Sequence, residues 1–306
     1  NCSINEEIER YLSLNRASYL EGLKEFVSIP SVSAKGTGMT ECAEWLAKAM
    51  QELDIETEIL PTAGSPAVYG ELSKGTSYKT LLVYGHYDVQ PPDPVALWKT
   101  DPFEPQVIDD HLYGRGATDD KGNIWAVLMG LKTAVAVGDT KLNLKFLFEG
   151  EEEVGSLVLE KFLDENGDRL SCDCVVISDG NQFGPDQPAI TYGLRGIAYF
   201  ELRVKGPSRD LHSGSFGGTV TNPATALTMI LGRIMGPDGR IAIPGFYDDV
   251  VPLSDEERRR LRELPFDERA FWATLGVEAA LGEPGYTVLE RRWARPTFEV
   301  CGLWGG

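Results

Sequence analysis

Histidine, cysteine and basic side chains are scarce in this 306-residue sequence, which has three histidines, five cysteines, and 29 basic against 47 acidic residues. Sparse, odd-numbered cysteines favour free thiols over a disulfide framework, and they predict a reducing, cytoplasmic location. No stretch approaches the ~20 apolar residues of a membrane span, and residues 1–7 do not resemble a signal peptide. The net charge of -18 argues against nucleic acid and anionic membranes as partners, because both bind basic surfaces.

The length of the chain predicts two domains, and the proportions of 42% hydrophobic and 25% charged residues are typical of a globular protein. The character of the sequence changes near 193–196, where a strand-like segment, 197–204, begins without a preceding crossover helix. We therefore predict one domain over 1–194 and a second over 195–306. The second domain looks unfinished, because the chain stops just after an apparent strand at 297–300.

Hydrophobic periodicity predicts alternating helices and strands in the first domain. The expected helices are 5–27, 39–52, 123–137, 156–165, 222–235, 254–263 and 267–281, and the expected strands are 55–60, 67–72, 80–84, 142–148, 174–178 and 197–204. Apolar runs without alternation are typical of strands buried on both faces of a parallel sheet. The predicted fold class is α/β, with a mostly parallel sheet flanked by helices, followed by a partial α+β domain.

Three of the predicted strands end in histidine or carboxylate side chains. The strand at 80–84 is followed by His86 and Asp88, which lie two residues apart and so point the same way on an extended segment. The strand at 142–148 leads into Glu149, Glu151, Glu152 and Glu153, and the strand at 174–178 leads into Asp179. Parallel strands place such groups at one edge of the sheet. Because packed carboxylates repel one another unless a cation compensates them, the pattern predicts a metal site.

Two acidic segments allow a simpler interpretation. Asp119 and Asp120 follow the long, proline-rich connection 90–118 and precede a predicted helix, where acidic residues also act as caps. Glu151 to Glu153 could form a solvated acidic loop. A connection as long as 90–118 is usually functional, and the position of the glutamates after a buried strand favours a site.

The motifs occur in the order expected of the M20 metallopeptidases, which the sequence resembles over essentially its whole length. The motifs are Gly85-His86-Tyr87-Asp88, Gly114-Arg115-Gly116-Ala117-Thr118-Asp119-Asp120-Lys121-Gly122, Glu149-Gly150-Glu151-Glu152-Glu153 and Ser178-Asp179. Asp210-Leu211-His212-Ser213-Gly214, Ile29-Pro30-Ser31 and Trp98 with Pro102-Phe103 are most similar to the carnosinase-like dipeptidase branch. By this resemblance, 1–194 is the N-terminal portion of a zinc-peptidase-like catalytic domain, and 195–306 is an incomplete lid and dimerisation domain.

The resemblance implies two zinc ions in the full enzyme. His86, Asp119 and Asp179 would hold one ion, and Asp119 would bridge to a second ion that Glu153 also binds. Imidazole and carboxylates are suitable zinc ligands, and a bridging carboxylate can hold two metals ~3.5–4 Å apart. Carboxylate-rich sites also accept Mn²⁺ or Co²⁺.

The resemblance also assigns catalytic roles. Glu152 would be the general base for an attacking water, and Asp88 would support His86. The family histidine that matches His212 comes from the lid of the partner subunit and steadies the developing oxyanion, which implies a homodimer. The remaining histidine, His111, has no motif support and is expected to be a structural or surface residue.

One departure from the family concerns the second zinc, which takes a further histidine from a C-terminal segment, whereas no histidine follows His212 here. We therefore expect the 306-residue chain to be poorly active or inactive and the full protein to be a dipeptidase. Deacylation of N-acyl amino acids is the nearest alternative activity. A truncated, non-catalytic metal-binding or dimerising relative is a further alternative. A nucleotide-binding protein is disfavoured, because Gly114-Arg115-Gly116 lacks the glycine spacing of phosphate loops.

Overall fold

The computed structural model describes residues 3–138, 140–184, 187–278 and 282–305. The chain divides into two compact units, Asn1–Ala189 and Ile190–Gly306. The first unit contains four longer helices and a five-stranded sheet. The assignment of catalytic and lid roles to the predicted domains 1–194 and 195–306 stays a prediction.

The helices and strands of the first unit alternate along the chain. The helices are α1 (Ile4–Ser28), α2 (Met39–Gln51), α3 (Lys121–Val137) and α4 (Leu159–Leu170). The strands are β1 (Glu56–Leu60), β2 (Ala67–Leu72), β3 (Lys79–His86), β4 (Gln106–Ile108), β5 (His111–Tyr113), β6 (Leu142–Glu149) and β7 (Cys174–Ile177). Three single-turn 3₁₀ helices occupy Ser33–Lys35, Val95–Leu97 and Glu152–Val154.

A capping box begins helix α1, and a proline ends it. The Ser3 side chain accepts the backbone N–H of Glu6, whose carboxylate in turn accepts the N–H of Ser3, and this capping box satisfies two otherwise unpaired donors. At the other end, Pro30 disfavours helical geometry at Ile29, which is extended with φ -78° and ψ 117°. The chain then turns toward the sheet, and Ser31 Oγ donates to the carbonyl of Tyr87 at 2.7 Å.

The sheet has the strand order β1-β2-β6-β3-β7, in which β6, β3 and β7 are parallel and β1 and β2 are antiparallel additions. The three strands that were predicted to end in reactive side chains therefore lie side by side. His86 pairs with Glu149 in the register of β3 and β6, and Tyr84 pairs with Ile177 in that of β3 and β7. Their carboxyl ends share one edge of the sheet. The α/β fold with a mainly parallel central sheet is confirmed.

Helices cover both faces of the sheet. On one face, α1, α2 and α3 pack against alternate strand residues such as Val83 and Phe146, which are almost fully buried. On the opposite face, Phe162 and Leu170 of α4 pack against neighbouring strand residues such as Leu147. Truncating Phe146 to alanine would cost about 3–5 kcal/mol of stability, as is usual for large core side chains.

The structure corrects several details of the first unit. Helix α4 spans Leu159–Leu170 rather than the predicted 156–165. The connection 90–118 is not irregular throughout, because β4 and β5 pair as a small antiparallel hairpin. Strand β7 is exposed along its length rather than buried, because among the described residues it lies at the edge of the sheet and pairs with β3 alone.

The described part of the second unit is helical. It contains α5 (Ser213–Phe216), α6 (Pro223–Ile234), α7 (Asp255–Glu263), α8 (Glu268–Thr274) and α9 (Val288–Ala294). Helix α8 is shorter than the predicted 267–281, of which 279–281 lie outside the described residues. The sequence prediction missed α5 and α9.

The predicted strands at 197–204 and 297–300 are not formed. The first segment has the alternation of a strand, but a strand needs a hydrogen-bonded neighbour, and none of the described residues pairs with it. Its side chains are consequently exposed, for example Tyr199 at 83% and Phe200 at 84%. Within the described residues of both units, no helix is long and apolar enough to cross a membrane.

Candidate metal centre

His86 is the last residue of β3, and its side chain is completely buried. Its Nε2 atom is buried and has no hydrogen-bond partner. The same atom faces three carboxylate oxygens, lying 3.0 Å from Asp119 Oδ1, 3.8 Å from Asp179 Oδ2 and 3.8 Å from Glu152 Oε2. A buried nitrogen that lacks a hydrogen bond is costly unless another group, such as a cation, binds it.

The three predicted ligands of the first metal come together in space. One potential ligand atom from each of His86, Asp119 and Asp179 lies within 4.8 Å of the others, with the histidine buried and both aspartates exposed. One imidazole and two carboxylates are a donor set suited to zinc. The orphaned Nε2 of His86 and this donor set fit a divalent metal ion.

Asp120 does not act as a helix cap. It occupies the N-cap position of α3, but its side chain makes no capping hydrogen bond. Its Oδ2 atom instead accepts the backbone N–H of His86 at 3.1 Å. Asp120 is completely buried, and burial raises the pKa of its carboxyl to about 7. The capping interpretation is therefore wrong for Asp120, which fixes the backbone of the histidine.

Asp88 connects His86 to the loop that carries Glu152 and Glu153. Its Oδ1 atom lies 3.3 Å from Nδ1 of His86, and its two oxygens accept the backbone N–H groups of Glu152 at 3.2 Å and Glu153 at 3.1 Å. Burial acts to raise the pKa of Asp88, but the interaction with His86 and the hydrogen bond from the backbone N–H of Glu153 outweigh it, and the pKa is lowered. Asp88 is therefore an ionised carboxylate that holds two parts of the centre.

The acidic segment 149–156 is a fixed turn rather than a solvated loop. Glu149 is buried, and its carboxylate accepts hydrogen bonds from the hydroxyls of Tyr84 and Ser156. Glu151 Oε1 accepts the backbone N–H of Ser65 at 2.9 Å. These contacts anchor the segment on both sides of the single turn that holds Glu152 and Glu153.

The clustered charges shift the ionisation of the centre. Burial raises the pKa of Glu152, and the charges of Glu153 and Asp179 add to this effect although His86 opposes it. Burial also raises the pKa of Glu153. Burial would lower the pKa of His86, but its hydrogen bond to Asp88 and the surrounding negative charges raise that pKa to about 10. Without a cation, the centre therefore favours a protonated imidazole.

Sequence reasoning missed Gln90. Its side-chain amide donates to Oε2 of Glu153 at 2.8 Å and to the carbonyl of Glu153 at 3.1 Å. The signal that could have found it is the spacing of His86, Asp88 and Gln90 at alternate positions of one extended segment, which directs the three side chains the same way. Gln90 holds the carboxylate that is predicted to bind the second metal.

Lys121 was also missed. Its side chain is completely buried, and Nζ donates to the carbonyls of Phe26 at 3.0 Å and Ile29 at 2.6 Å. It thus joins the start of α3, next to Asp119, to the end of α1, where a cation also interacts favourably with the helix dipole.

The two remaining histidines belong to β5 and to the second unit. His111 is exposed in β5, and its Nδ1 is 2.6 Å from the carbonyl of Asp109. His212 belongs to the second unit, where it is exposed at the N-cap of α5. Its predicted role beside the metal centre of a partner subunit stays a prediction.

A family model described as peptidase family M20/M25/M40 matches residues 82–295. The chain belongs to this family. The matched region contains His86, Asp119, Glu152, Glu153 and Asp179. Membership of the M20 family, which the sequence motifs predicted, is confirmed.

Related M20 proteins are similar to nearly the whole chain. The Beta-Ala-His dipeptidase of Homo sapiens is 34% identical over 319 residues, which cover 98% of this chain and 63% of the relative. The Cys-Gly metallodipeptidase DUG1 of Candida albicans is 34% identical over 311 residues, covering 95% and 64% respectively. A crystal structure of human carnosine dipeptidase 1 superposes with a TM-score of 0.76 at 32% identity, covering 98% of this chain and 67% of that one. The M20 chain thus spans about two thirds of the length of these relatives.

Proposed function

We propose that this chain is part of a dinuclear-zinc dipeptidase that hydrolyses the amide bond of small peptides. The single observation that carries the proposal is the buried Nε2 of His86, which makes no hydrogen bond and faces the carboxylates of Asp119, Asp179 and Glu152. Family membership and the printed names of the two dipeptidase relatives support the same activity.

His86, Asp119 and Asp179 would hold the first metal, and Asp119 and Glu153 would contribute to the second. When bound, the metals would polarise the scissile carbonyl and favour deprotonation of the attacking water. Zinc is the proposed ion, and Mn²⁺ or Co²⁺ are compatible with the same oxygen-rich ligands.

Glu152 is the proposed general base. Its carboxylate lies at the partly exposed rim of the centre, with Oε2 3.8 Å from Nε2 of His86. Because its pKa is raised by burial and by neighbouring carboxylates, it is a better proton acceptor than an ordinary glutamate. It would take a proton from the attacking water and deliver it to the leaving amine nitrogen.

Asp88 and His212 have supporting roles in the proposal. Asp88 would hold the imidazole of His86 through Nδ1 and fix the turn that presents Glu152 and Glu153. His212, supplied by the partner subunit of a homodimer through the lid domain, would donate a hydrogen bond to the developing oxyanion. A cytoplasmic location accords with the four described cysteines being free thiols, whereas Cys2 lies outside the described residues.

Metal binding and turnover can be tested separately. Metal-free chain is titrated with Zn²⁺ and assayed on β-Ala-His, Cys-Gly and an N-acetyl amino acid. We expect His86→Asn to abolish tight zinc binding and His111→Asn, a change at an exposed histidine, to preserve it. Zinc binding that survives His86→Asn would overturn the proposal.

The three substrates then distinguish the possible activities. Zinc-dependent cleavage of the dipeptides but not of the N-acetyl amino acid would support a dipeptidase, and the reverse preference would make the chain a deacylase.

A further inference from the structure

The imidazole of His212 is attached to the backbone of the helix that it caps. Its Nδ1 atom accepts the backbone N–H of Gly214 at 3.0 Å. The carbonyl of His212 also accepts the backbone N–H groups of Ser215 at 3.1 Å and Phe216 at 3.0 Å. The residue thus satisfies three donors at the start of α5, one with its side chain and two with its main chain.

Gly214 provides the space for this contact. A Cβ atom at position 214 would lie 2.8 Å from Cε1 and 3.1 Å from Nδ1 of His212. Any other residue at this position would therefore push the ring away from its acceptor position. The requirement for glycine here is steric.

We propose that the N–H of Gly214 fixes His212 as the tautomer with hydrogen on Nε2, so that this histidine serves as a neutral hydrogen-bond donor. In neutral imidazole one nitrogen is bare and the other carries hydrogen. Because Nδ1 accepts a hydrogen bond, it is the bare nitrogen, and Nε2 carries the hydrogen. Within the described residues, Nε2 of His212 has no hydrogen-bond partner. It is therefore free to donate to a carbonyl oxygen or an oxyanion, a role that rests on the proposed function.

The same contact argues against two other roles of His212. A metal ligand or a general base at Nε2 needs that nitrogen to be bare, which would require hydrogen on Nδ1. Hydrogen on Nδ1 would point at the N–H of Gly214, and two donors would then face each other. Gly214 is accordingly a positioning residue, and the group that His212 recognises is an oxygen acceptor.

Long-range ¹H–¹⁵N NMR of the ¹⁵N-histidine-labelled chain tests the inference directly, at a pH of about 8, above the ordinary histidine pKa of ~6.5. We expect the two nitrogens of His212 to be resolved, with Nδ1 bare and Nε2 protonated. Three histidines are present, and His212→Gln assigns the signal. Gly214→Ala should weaken the tautomer preference to that of a free histidine side chain, so that the separation between the two nitrogen shifts narrows, while Gly232→Ala, at a glycine with open space around it, should leave it unchanged.

A wild-type His212 with hydrogen on Nδ1, or with two averaged nitrogens, would overturn the inference. If Gly214→Ala does not fold, the wild-type spectrum still decides the tautomer. The result is separable from the proposed function: an Nε2–H tautomer without metal-dependent peptide hydrolysis would refute the activity alone. Hydrolysis with a mixed tautomer would refute the role of Gly214 alone.

Discussion

The carboxylate of Asp88 accepts the backbone N–H of Glu153 at 3.1 Å, while its other oxygen lies 3.3 Å from Nδ1 of His86. Asp88 therefore fixes both the ring at the end of β3, which its backbone carbonyl also contacts at 3.1 Å, and the acidic turn after β6. Two predicted metal ligands, His86 at the end of β3 and Glu153 in the turn after β6, contact the same carboxylate, one through its ring and the other through its backbone. Its importance follows from the three contacts that it makes at once, with His86, Glu152 and Glu153.

Asp88→Asn is the first prediction. The amide retains one acceptor oxygen but replaces the other with a donor, so that one backbone N–H of the acidic turn is left unpaired. Leaving a buried donor unpaired should lower the free energy of unfolding by about 1–3 kcal/mol. Loss of a group that orients metal ligands should weaken metal binding by about 10–100-fold. Chemical denaturation and competition with a chromophoric chelator measure the two effects.

Asp93→Asn is the matched control, because Asp93 is exposed and pairs with Lys35 on the surface. Asp93→Asn should change neither the free energy of unfolding nor the metal affinity appreciably, since exposed ion pairs contribute little to stability. Unchanged zinc affinity in Asp88→Asn would show that His86 is held adequately by the rest of the fold.

Gln90→Leu is the second prediction. Gln90 donates to Oε2 of Glu153, and leucine has a similar size but no donor. The Glu153 carboxylate should then lose its fixed orientation, and the second zinc should bind about 10-fold more weakly while the first is unaffected. Titration of the metal-free chain with Zn²⁺ resolves the two steps. Gln51→Leu, at an exposed residue ending α2, is the control, and identical titrations for Gln90→Leu and wild type would contradict the role of Gln90.

The sequence was sufficient to predict the strands that carry the site. Apolar runs before His86, Glu149 and Asp179 identified β3, β6 and β7, and the rule that ligands gather at the carboxyl ends of parallel strands placed their terminal residues together. Local pattern is informative here because each run is short, apolar and directly followed by polar residues.

Contacts between distant segments could not be predicted in the same way. In the sequence, Lys121 is an ordinary charged residue at the start of a helix. Its burial against the carbonyls of Phe26 and Ile29 depends on how α1 packs against α3. The segment 197–204 shows the opposite failure. Its alternation satisfies a strand pattern, yet no described residue supplies the hydrogen-bonding neighbour that a strand requires.

Glu152→Gln is the third prediction. Glutamine preserves the size of the side chain but cannot accept a proton, so kcat for dipeptide hydrolysis should fall by about 10²–10⁴-fold. Zinc binding should be essentially unchanged, because Glu152 is not a proposed ligand. Glu160→Gln, an exposed change at the start of α4, should leave both properties unaltered. Near-normal turnover by Glu152→Gln would assign the base to another group.

The fourth prediction concerns proton release on metal binding. The pKa of His86 is raised to about 10 in the metal-free protein because the hydrogen bond to Asp88 and the charges of Asp120, Asp88 and Glu152 outweigh burial. The ordinary value is ~6.5. Because the raised pKa lies well above neutral pH, the metal-free protein carries an imidazolium at pH 7. A metal must displace that proton. We expect His86 to release about one proton per first metal bound at pH 7.5, and affinity to rise about tenfold per pH unit between ~6.5 and 10.

The free energy of unfolding of the metal-free protein should fall as the pH rises, whereas the metal affinity rises. The contribution of protonated His86 is fully present below ~6.5 and is lost as the pH rises through about 10, since the unfolded chain gives up the proton first. Calorimetric zinc titrations in two buffers of different ionisation enthalpy measure the proton release, and denaturation across the same pH range measures the stability. His111→Asn should reproduce both wild-type results. Zinc binding that releases no proton at pH 7.5 would mean that His86 is already neutral among its five acidic neighbours, Asp88, Asp119, Asp120, Glu152 and Asp179.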